Sequence, residues 1–185
     1  MTNPPQSSCN NTSKNMPHPE LDAEALYAAL ARQVKDALAS VDNVALVGIY
    51  SGGAWLADRL AADLQLTGRG RLGYIDVSFY RDDYAEKGLP AEVKPSHIPF
   101  DVDGATILLV DDVLYTGRTT RAAINELFDY GRPARIMLAA LVDRGERELP
   151  IAADFVAHTV ALSPGERLVL QRADDGKFSL IVDHA

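Results

Sequence analysis

Cysteine is almost missing from the sequence. Cys9 is the one thiol among 185 residues, so no disulfide can close within the chain, and this fits a reducing compartment. No uninterrupted run of about 18 apolar residues occurs, so no membrane-spanning helix is expected. The N-terminus has no apolar run behind a basic segment, so no secretory signal is expected either. Together these absences predict a cytoplasmic protein with no membrane partner. Positive charge is also short. Lys and Arg number 18 against 26 Asp and Glu, a net charge of −8. Such a chain is soluble and is no general polyanion binder, although net charge leaves a local basic patch open. Arg132, Arg135, Arg144 and Arg147 are the closest approach to one. With acids interleaved around them, they read as a paired, solvated face. The four histidines share no metal-ligand spacing with Cys9. No Walker-type loop, internal repeat or heptad pattern occurs.

What is present is a core. Hydrophobic residues make up 47% of the chain, and its length suits one ordinary domain. Residues 1–19, rich in Asn, Ser and Pro and without periodicity, predict a disordered tail, leaving a domain over 20–185. From Leu21 the apolar positions fall at helical spacing: Leu26, Leu30, Val34, Leu38 and Val41. VALVGI (44–49) reads as a buried strand, broken by Ser51-Gly52-Gly53. A second helix follows with Trp55, Leu56, Leu60 and Leu64 on one stripe. Further strands are predicted over 72–80, 106–110 and 135–142, and near 154–160, 167–171 and 177–183, with a helix over about 119–130. Residues 81–100 lack a clean period and read as a functional flap. Strands alternating with helices predict an α/β fold with a mostly parallel sheet.

The segment ILLVDDVLYTGRTTRAAINEL (107–127) carries the chemistry. An apolar strand runs into two carboxylates, then into a Thr- and Gly-rich loop, then into a helix. Ligands of open α/β sheets sit beyond the carboxyl ends of the strands, which is where this segment delivers its polar groups. Asp111 and Asp112 are adjacent and so face opposite sides of an extended chain. One can accept from vicinal sugar hydroxyls while the other faces a metal or a basic side chain. Tyr115, Thr116, Gly117, Arg118, Thr119 and Thr120 enter a helix N-terminus, where unpaired N–H groups and the helix dipole favour a phosphate. Gly117 permits close backbone approach, the threonines add hydroxyls and Arg118 adds charge. An acid pair beside a phosphate cradle describes a site for a ribose 5-phosphate.

VDDVLYTGRTT resembles the binding motif for phosphoribosyl pyrophosphate (PRPP) of type I phosphoribosyltransferases. VSFYRDD (77–83), LFDYGRPARI (127–136) and LVDRGERELPIAADFV (141–156) extend the resemblance to the PyrR family. Its members regulate pyrimidine operons and are also uracil phosphoribosyltransferases. The resemblance covers most of residues 20–170. It implies the type I phosphoribosyltransferase fold, a central sheet flanked by helices with a flap and a small hood. It further implies that Asp111 and Asp112 hold the ribose hydroxyls, that Thr116 to Thr120 hold the 5′-phosphate, and that Arg81, at the root of the flap, meets the pyrophosphate. Asp143, Arg144, Phe155 and Val156 would form the hood that reads the base. Mg²⁺ would arrive with PRPP, without a dedicated protein cage. The implied ligands are uracil, PRPP and UMP or UTP. Pyrimidine operon mRNA is implied as a partner by the family, and disfavoured by a first helix whose only basic residues are Arg32 and Lys35. A homodimer or higher homo-oligomer is implied as well.

Two departures from the family pattern stand out. Tyr115 occupies a position where many relatives have an acid. Tyr50-Ser51-Gly52-Gly53 stands where the family usually has a Thr-Arg-Gly loop for pyrophosphate, leaving only the backbone N–H groups of Ser51, Gly52 and Gly53. These departures favour an alternative, a catalytically weak sensor of uridine nucleotides or PRPP that acts on pyrimidine genes. A purine-type phosphoribosyltransferase is a third reading, against which the VDRGxRELPI segment argues.

Overall fold

The computed structural model describes residues 21–67, 70–77 and 95–184. The tail, Cys9 and most of the flap, including Arg81, lie outside the described residues.

Helix α1 (Ala23–Leu38) begins where Asp22 accepts from the N–H groups of Glu24 and Ala25 at 3.0 and 3.1 Å. Such an N-cap is worth about 1 kcal/mol. Its buried stripe is Ala23, Tyr27, Leu30, Val34 and Leu38. Leu26 and Val41, expected on that stripe, are only partly buried, and Val41 lies past the helix end. Strand β1 (Val44–Ile49) leads to helix α2 (Gly52–Asp63) and strand β2 (Leu72–Ile75). Strand β3 (Thr106–Leu114) is followed by helix α3 (Arg118–Tyr130) and strand β4 (Arg135–Asp143). Strands β5 (Phe155–Thr159), β6 (Glu166–Arg172) and β7 (Phe178–His184) complete the chain.

Strands β1 to β5 form one sheet in the order β2-β1-β3-β4-β5, parallel throughout, while β6 and β7 make a separate antiparallel ribbon. Strand β3 runs four residues past its expected end. Asp111 and Val113 continue the ladder opposite Ala140 and Val142, so the acid pair stands within the strand and not in the loop after it. One sheet face packs Leu108, Val110, Ala139 and Leu141 against α1, α2 and the ribbon. The other packs Ile107, Leu109, Leu138 and Ala140 against Ala122, Ala123 and Leu127 of α3. Both faces are covered, which explains why the central strands read as continuous apolar runs.

The ribbon is pinned to this body. Leu168, Leu170, Phe178 and Leu180 are buried in the α1 core. Glu24 accepts from the N–H of Phe178 at 2.7 Å and from both terminal nitrogens of Arg59 at 2.9 and 2.7 Å. The Arg59 guanidinium lies 4.3 Å from the Tyr27 ring centroid and 5.1 Å from that of Phe178. The carboxylate of Glu24 is held below its ordinary titration range mainly by that hydrogen bond from Arg59.

Candidate functional site

At the carboxyl edge of the sheet two helices begin beside the acid pair. Asp111 is 5% exposed, and its Oδ1 accepts from the N–H of Asp112 at 3.0 Å. Asp112 points to the opposite face and lies against the first residue of α2. A Cβ built on Gly52 would stand 2.3 Å from Asp112 Oδ2 and 2.5 Å from Cγ. The acid pair thus faces both sides of β3, as the residue alternation predicts, and the start of α2 rests on one of the carboxylates. No side chain caps α2 at Ser51, so the N–H groups of its first turn point toward the edge with no intrahelical acceptor. The preceding Tyr50–Ser51 peptide is cis.

The second helix start is the loop from Tyr115 to Thr120. Gly117 has φ +90°, in the left-handed region, and a Cβ there would come within 3.0 Å of Ile151. The N–H groups of Thr119 and Thr120 lie in the first turn of α3, again without intrahelical acceptors. Thr120 is 1% exposed, and its hydroxyl is buried with no hydrogen-bond partner. Arg118 is turned outward, its Nε 2.6 Å from Glu148. Tyr115 is 39% exposed, and the Arg144 guanidinium lies 3.9 Å from its ring centroid. A hydrogen bond to Glu146 raises the Tyr115 hydroxyl above its ordinary titration range.

A cavity of about 410 Å³ joins these parts. Ser51, Gly52, Asp111, Asp112 and Thr119 line its floor, Trp55 and Val113 its side, and Arg167 to Leu170 of β6 its roof. Acid pair, both helix starts and ribbon therefore share one space. Arg81 lies outside the described residues. The chain leaves the sheet after Ile75, and His97 bridges back to Tyr74.

The residues expected to read the base fall in two groups, one in the body of the sheet and one at its carboxyl edge. Phe155 and Val156 pair with Ala139 and Ala140, four and three residues before Thr159 and Asp143 at the carboxyl edge. At about 3.3 Å per residue they sit roughly 10 to 13 Å back from it. Phe155 packs against the α1 core, and the Val156 carbonyl accepts from Gln33 Nε2 at 3.1 Å. Both belong to the body of the sheet. Asp143 does stand at the edge, but its carboxylate is engaged by Arg147 Nη2 at 2.6 Å and by the N–H of Gly145 at 2.8 Å. Arg144 packs on Tyr115 rather than over the acid pair. The roof that the sequence reading missed is Arg167, Leu168, Val169 and Leu170. Its only local signal was a short apolar strand near 167–171, with nothing to tell it from core. Three of the four clustered arginines do meet acids: Arg147 with Asp143 at 2.6 Å, Arg144 with Glu146 at 3.8 Å and Arg135 with Asp154 at 3.9 Å. Arg132 donates to the carbonyls of Phe128 and Gly131.

Comparison with known proteins agrees with this geometry. Residues 19–161 match the family described as the phosphoribosyl transferase domain. A Bifunctional protein PyrR of Ralstonia nicotianae is 54% identical over 159 residues, covering 85% of this chain and 90% of the relative. Another, of Nitrosococcus oceani, is 46% identical over 169 residues, covering 90% and 96%. Among solved structures, a hypoxanthine phosphoribosyltransferase of Staphylococcus aureus superposes with TM-score 0.58 at 21% identity, covering 80% of this chain and 77% of its own. A purine phosphoribosyltransferase of Pyrococcus horikoshii superposes with TM-score 0.56 at 24% identity, covering 84% and 95%. At those identities the structures speak to the fold alone.

Proposed function

The chain belongs to the phosphoribosyl transferase domain family, and from that membership we propose that it is a PyrR-type protein that makes UMP from uracil and PRPP and regulates pyrimidine biosynthesis genes. The observation that carries the reading is the carboxylate pair set between two uncapped helix starts in one cavity. PRPP has the matching layout: a diol flanked by a phosphate at C5 and a pyrophosphate at C1. The first turn of α3 takes the 5-phosphate, Asp111 and Asp112 take the diol, and the N–H groups of Ser51 to Gly53 take the pyrophosphate.

Uracil N1 attacks C1, the bond from C1 to the pyrophosphate oxygen breaks, and the N1 proton is released. The Tyr115 hydroxyl is raised further from neutrality by its bond to Glu146, so Tyr115 does not replace the acidic residue of other relatives as a base. The acidity of uracil N1 lets a weak base suffice. The two carboxylates offer the hard oxygens that Mg²⁺ prefers, so Asp111 and Asp112 are the residues that would meet a metal brought with PRPP. When bound, Mg²⁺ offsets the charge growing on the leaving group. Leu168 to Leu170 line the same cavity as the acid pair, and on this reading their backbone is the surface offered to the pyrimidine edge. A cytoplasmic homodimer or higher assembly belongs to the same proposal. So does binding of pyrimidine operon mRNA, against which the internal pairing of the arginines weighs.

One observation favours a second reading, a sensor of uridine nucleotides or PRPP with little turnover. Gly52 stands in the segment where the family usually carries an arginine for pyrophosphate. The test is UMP formation from labelled uracil, PRPP and Mg²⁺. Asp112→Asn should lower kcat/KM by about 10- to 100-fold, the effect of losing one charge-assisted hydrogen-bond pair. Tight PRPP or UMP binding without UMP formation would select the sensor. Preference for hypoxanthine over uracil would overturn both readings.

A further inference from the structure

The loop proposed to hold the 5-phosphate does not hold its own shape. Its outer carbonyls are taken by a strap that follows β4. Arg147 Nη1 donates to the carbonyl of Tyr115 at 2.5 Å, to that of Gly145 at 3.1 Å and, at 3.5 Å, to that of Leu114. Its Nε donates to the Ile151 carbonyl at 3.0 Å, and its Nη2 pairs with Asp143 at 2.6 Å. The next two residues continue the contact, with the N–H groups of Glu148 and Leu149 donating to the Thr116 carbonyl at 3.0 and 3.1 Å. The Glu148 carboxylate meets Arg118, and Ile151 packs on Gly117. The carbonyls of residues 114, 115 and 116 are therefore each held by the strap. Among the described residues, Arg147 is the one side chain whose hydrogen bonds reach the loop, the end of β4 and the far end of the strap at once. A planar fork with fixed donor directions can do this, whereas a lysine offers a single point.

We propose that Arg147 is a positioning residue for the 5-phosphate loop, acting through the loop backbone and touching no substrate itself. The proposal rests on the phosphoribosyl-transfer reading of the site. It gives the Arg-Glu-Leu-Pro-Ile run at 147–151 a mechanical role that charge alone did not suggest.

Ribose 5-phosphate and Mg²⁺-pyrophosphate probe the two helix starts separately, so their dissociation constants in the full-length chain test the idea. Arg147→Lys keeps the charge opposite Asp143 and loses the fork. It should weaken ribose 5-phosphate about ten-fold, equivalent to ~1.4 kcal/mol, while pyrophosphate stays within about two-fold of its wild-type value. The Arg147→Lys chain should also show a higher KM for PRPP with kcat nearly unchanged, because the interaction lost is present before the transition state. Equal weakening of both ligands would mean general loosening and overturn the proposal, as would wild-type affinity for ribose 5-phosphate. If Arg147→Lys does not fold, Asp143→Asn, which releases the fork without removing it, should show the same selective loss at about three-fold, and no loss would refute the role. Wild-type protein that binds neither ligand would overturn the phosphoribosyl reading and this inference with it.

Discussion

Gly52→Ala adds one methyl group in an unhelpful place. An ideal Cβ at that position stands 2.3, 2.5 and 2.8 Å from Oδ2, Cγ and Cβ of Asp112. Real Cβ atoms do not approach other heavy atoms that closely, so either the carboxylate or the start of α2 must shift by an ångström or more. Neither is free to do so cheaply. Asp112 sits within the β3 ladder, and the next residue of α2, Gly53, already lies against the Val110 carbonyl. Overpacking of this kind costs about 1–3 kcal/mol of stability. The catalytic effect is larger in proportion, since a misplacement of about 1 Å in a positioned group costs on the order of 10²-fold in rate. UMP formation with thermal unfolding as the companion measurement is the assay, and Ser51→Ala, which adds no atom, is the control. Gly52→Arg, which installs the charge typical of the family loop, carries the same Cβ and should lose activity rather than gain it. Wild-type kinetics in Gly52→Ala, or increased turnover in Gly52→Arg, would refute the claim that the contact between α2 and Asp112 shapes the site.

Two further expectations follow from other contacts. Gly117→Ala forces a side chain into a left-handed backbone at φ +90° and onto Ile151, and should lower stability by about 1–2 kcal/mol and weaken PRPP binding, read by unfolding and by calorimetry. Glu24→Gln removes a carboxylate whose folded value lies below its ordinary 4.5, so the stability it supplies is present above that value and fades as the pH falls through the folded one. The variant should be less stable than wild type by about 1 kcal/mol at pH 7, a modest figure because the ion pair with Arg59 is partly exposed. The difference should close in unfolding curves taken at progressively lower pH, and a difference that grew toward acid would contradict the assignment.

The parts of the site that could be read from the sequence are those whose determinants lie next to each other in the chain. Strand β3, the acid pair and the loop into α3 form one continuous segment, and its strand–loop–helix order already dictates which way the polar groups face. The roof was not legible in this way. That Leu168 to Leu170 lie above Asp112 depends on the ribbon docking onto α1, through Glu24, Arg59 and Phe178, which are separated by up to 154 residues. How deep in the sheet Phe155 and Val156 lie was not legible for the related reason that register is a property of pairs. Only the pairing with Ala139 and Ala140 reveals how far from the edge they lie. The end of β3 was set short because two aspartates look like a strand stop, whereas the ladder to β4 carries the backbone through them. Arg147 was read as part of a charged face, since nothing in a sequence distinguishes a guanidinium in water from one surrounded by carbonyls.

The same geometry bears on whether the protein works mainly as a catalyst or as a sensor. On the proposed reading, binding a nucleotide 5-phosphate and a ribose diol calls on the α3 loop, which Arg147 braces, and on the acid pair. On the same reading, departure of pyrophosphate calls on the start of α2, whose own segment Tyr50 to Gly53 carries backbone N–H groups and no arginine. A helix N-terminus contributes about 0.3–1 kcal/mol toward an anion, against about 1.5–3 kcal/mol for a charge-assisted hydrogen bond from a side chain. Negative charge on the pyrophosphate grows toward the transition state, so the missing interaction is one that would have strengthened along the reaction, and its loss falls on kcat more than on substrate affinity. Regulation by UMP, UTP or PRPP needs only the ground-state contacts. On the proposed reading an arginine-free α2 start lowers turnover more than it weakens the signal a regulator reads, so a sensing role does not require robust catalysis from this site.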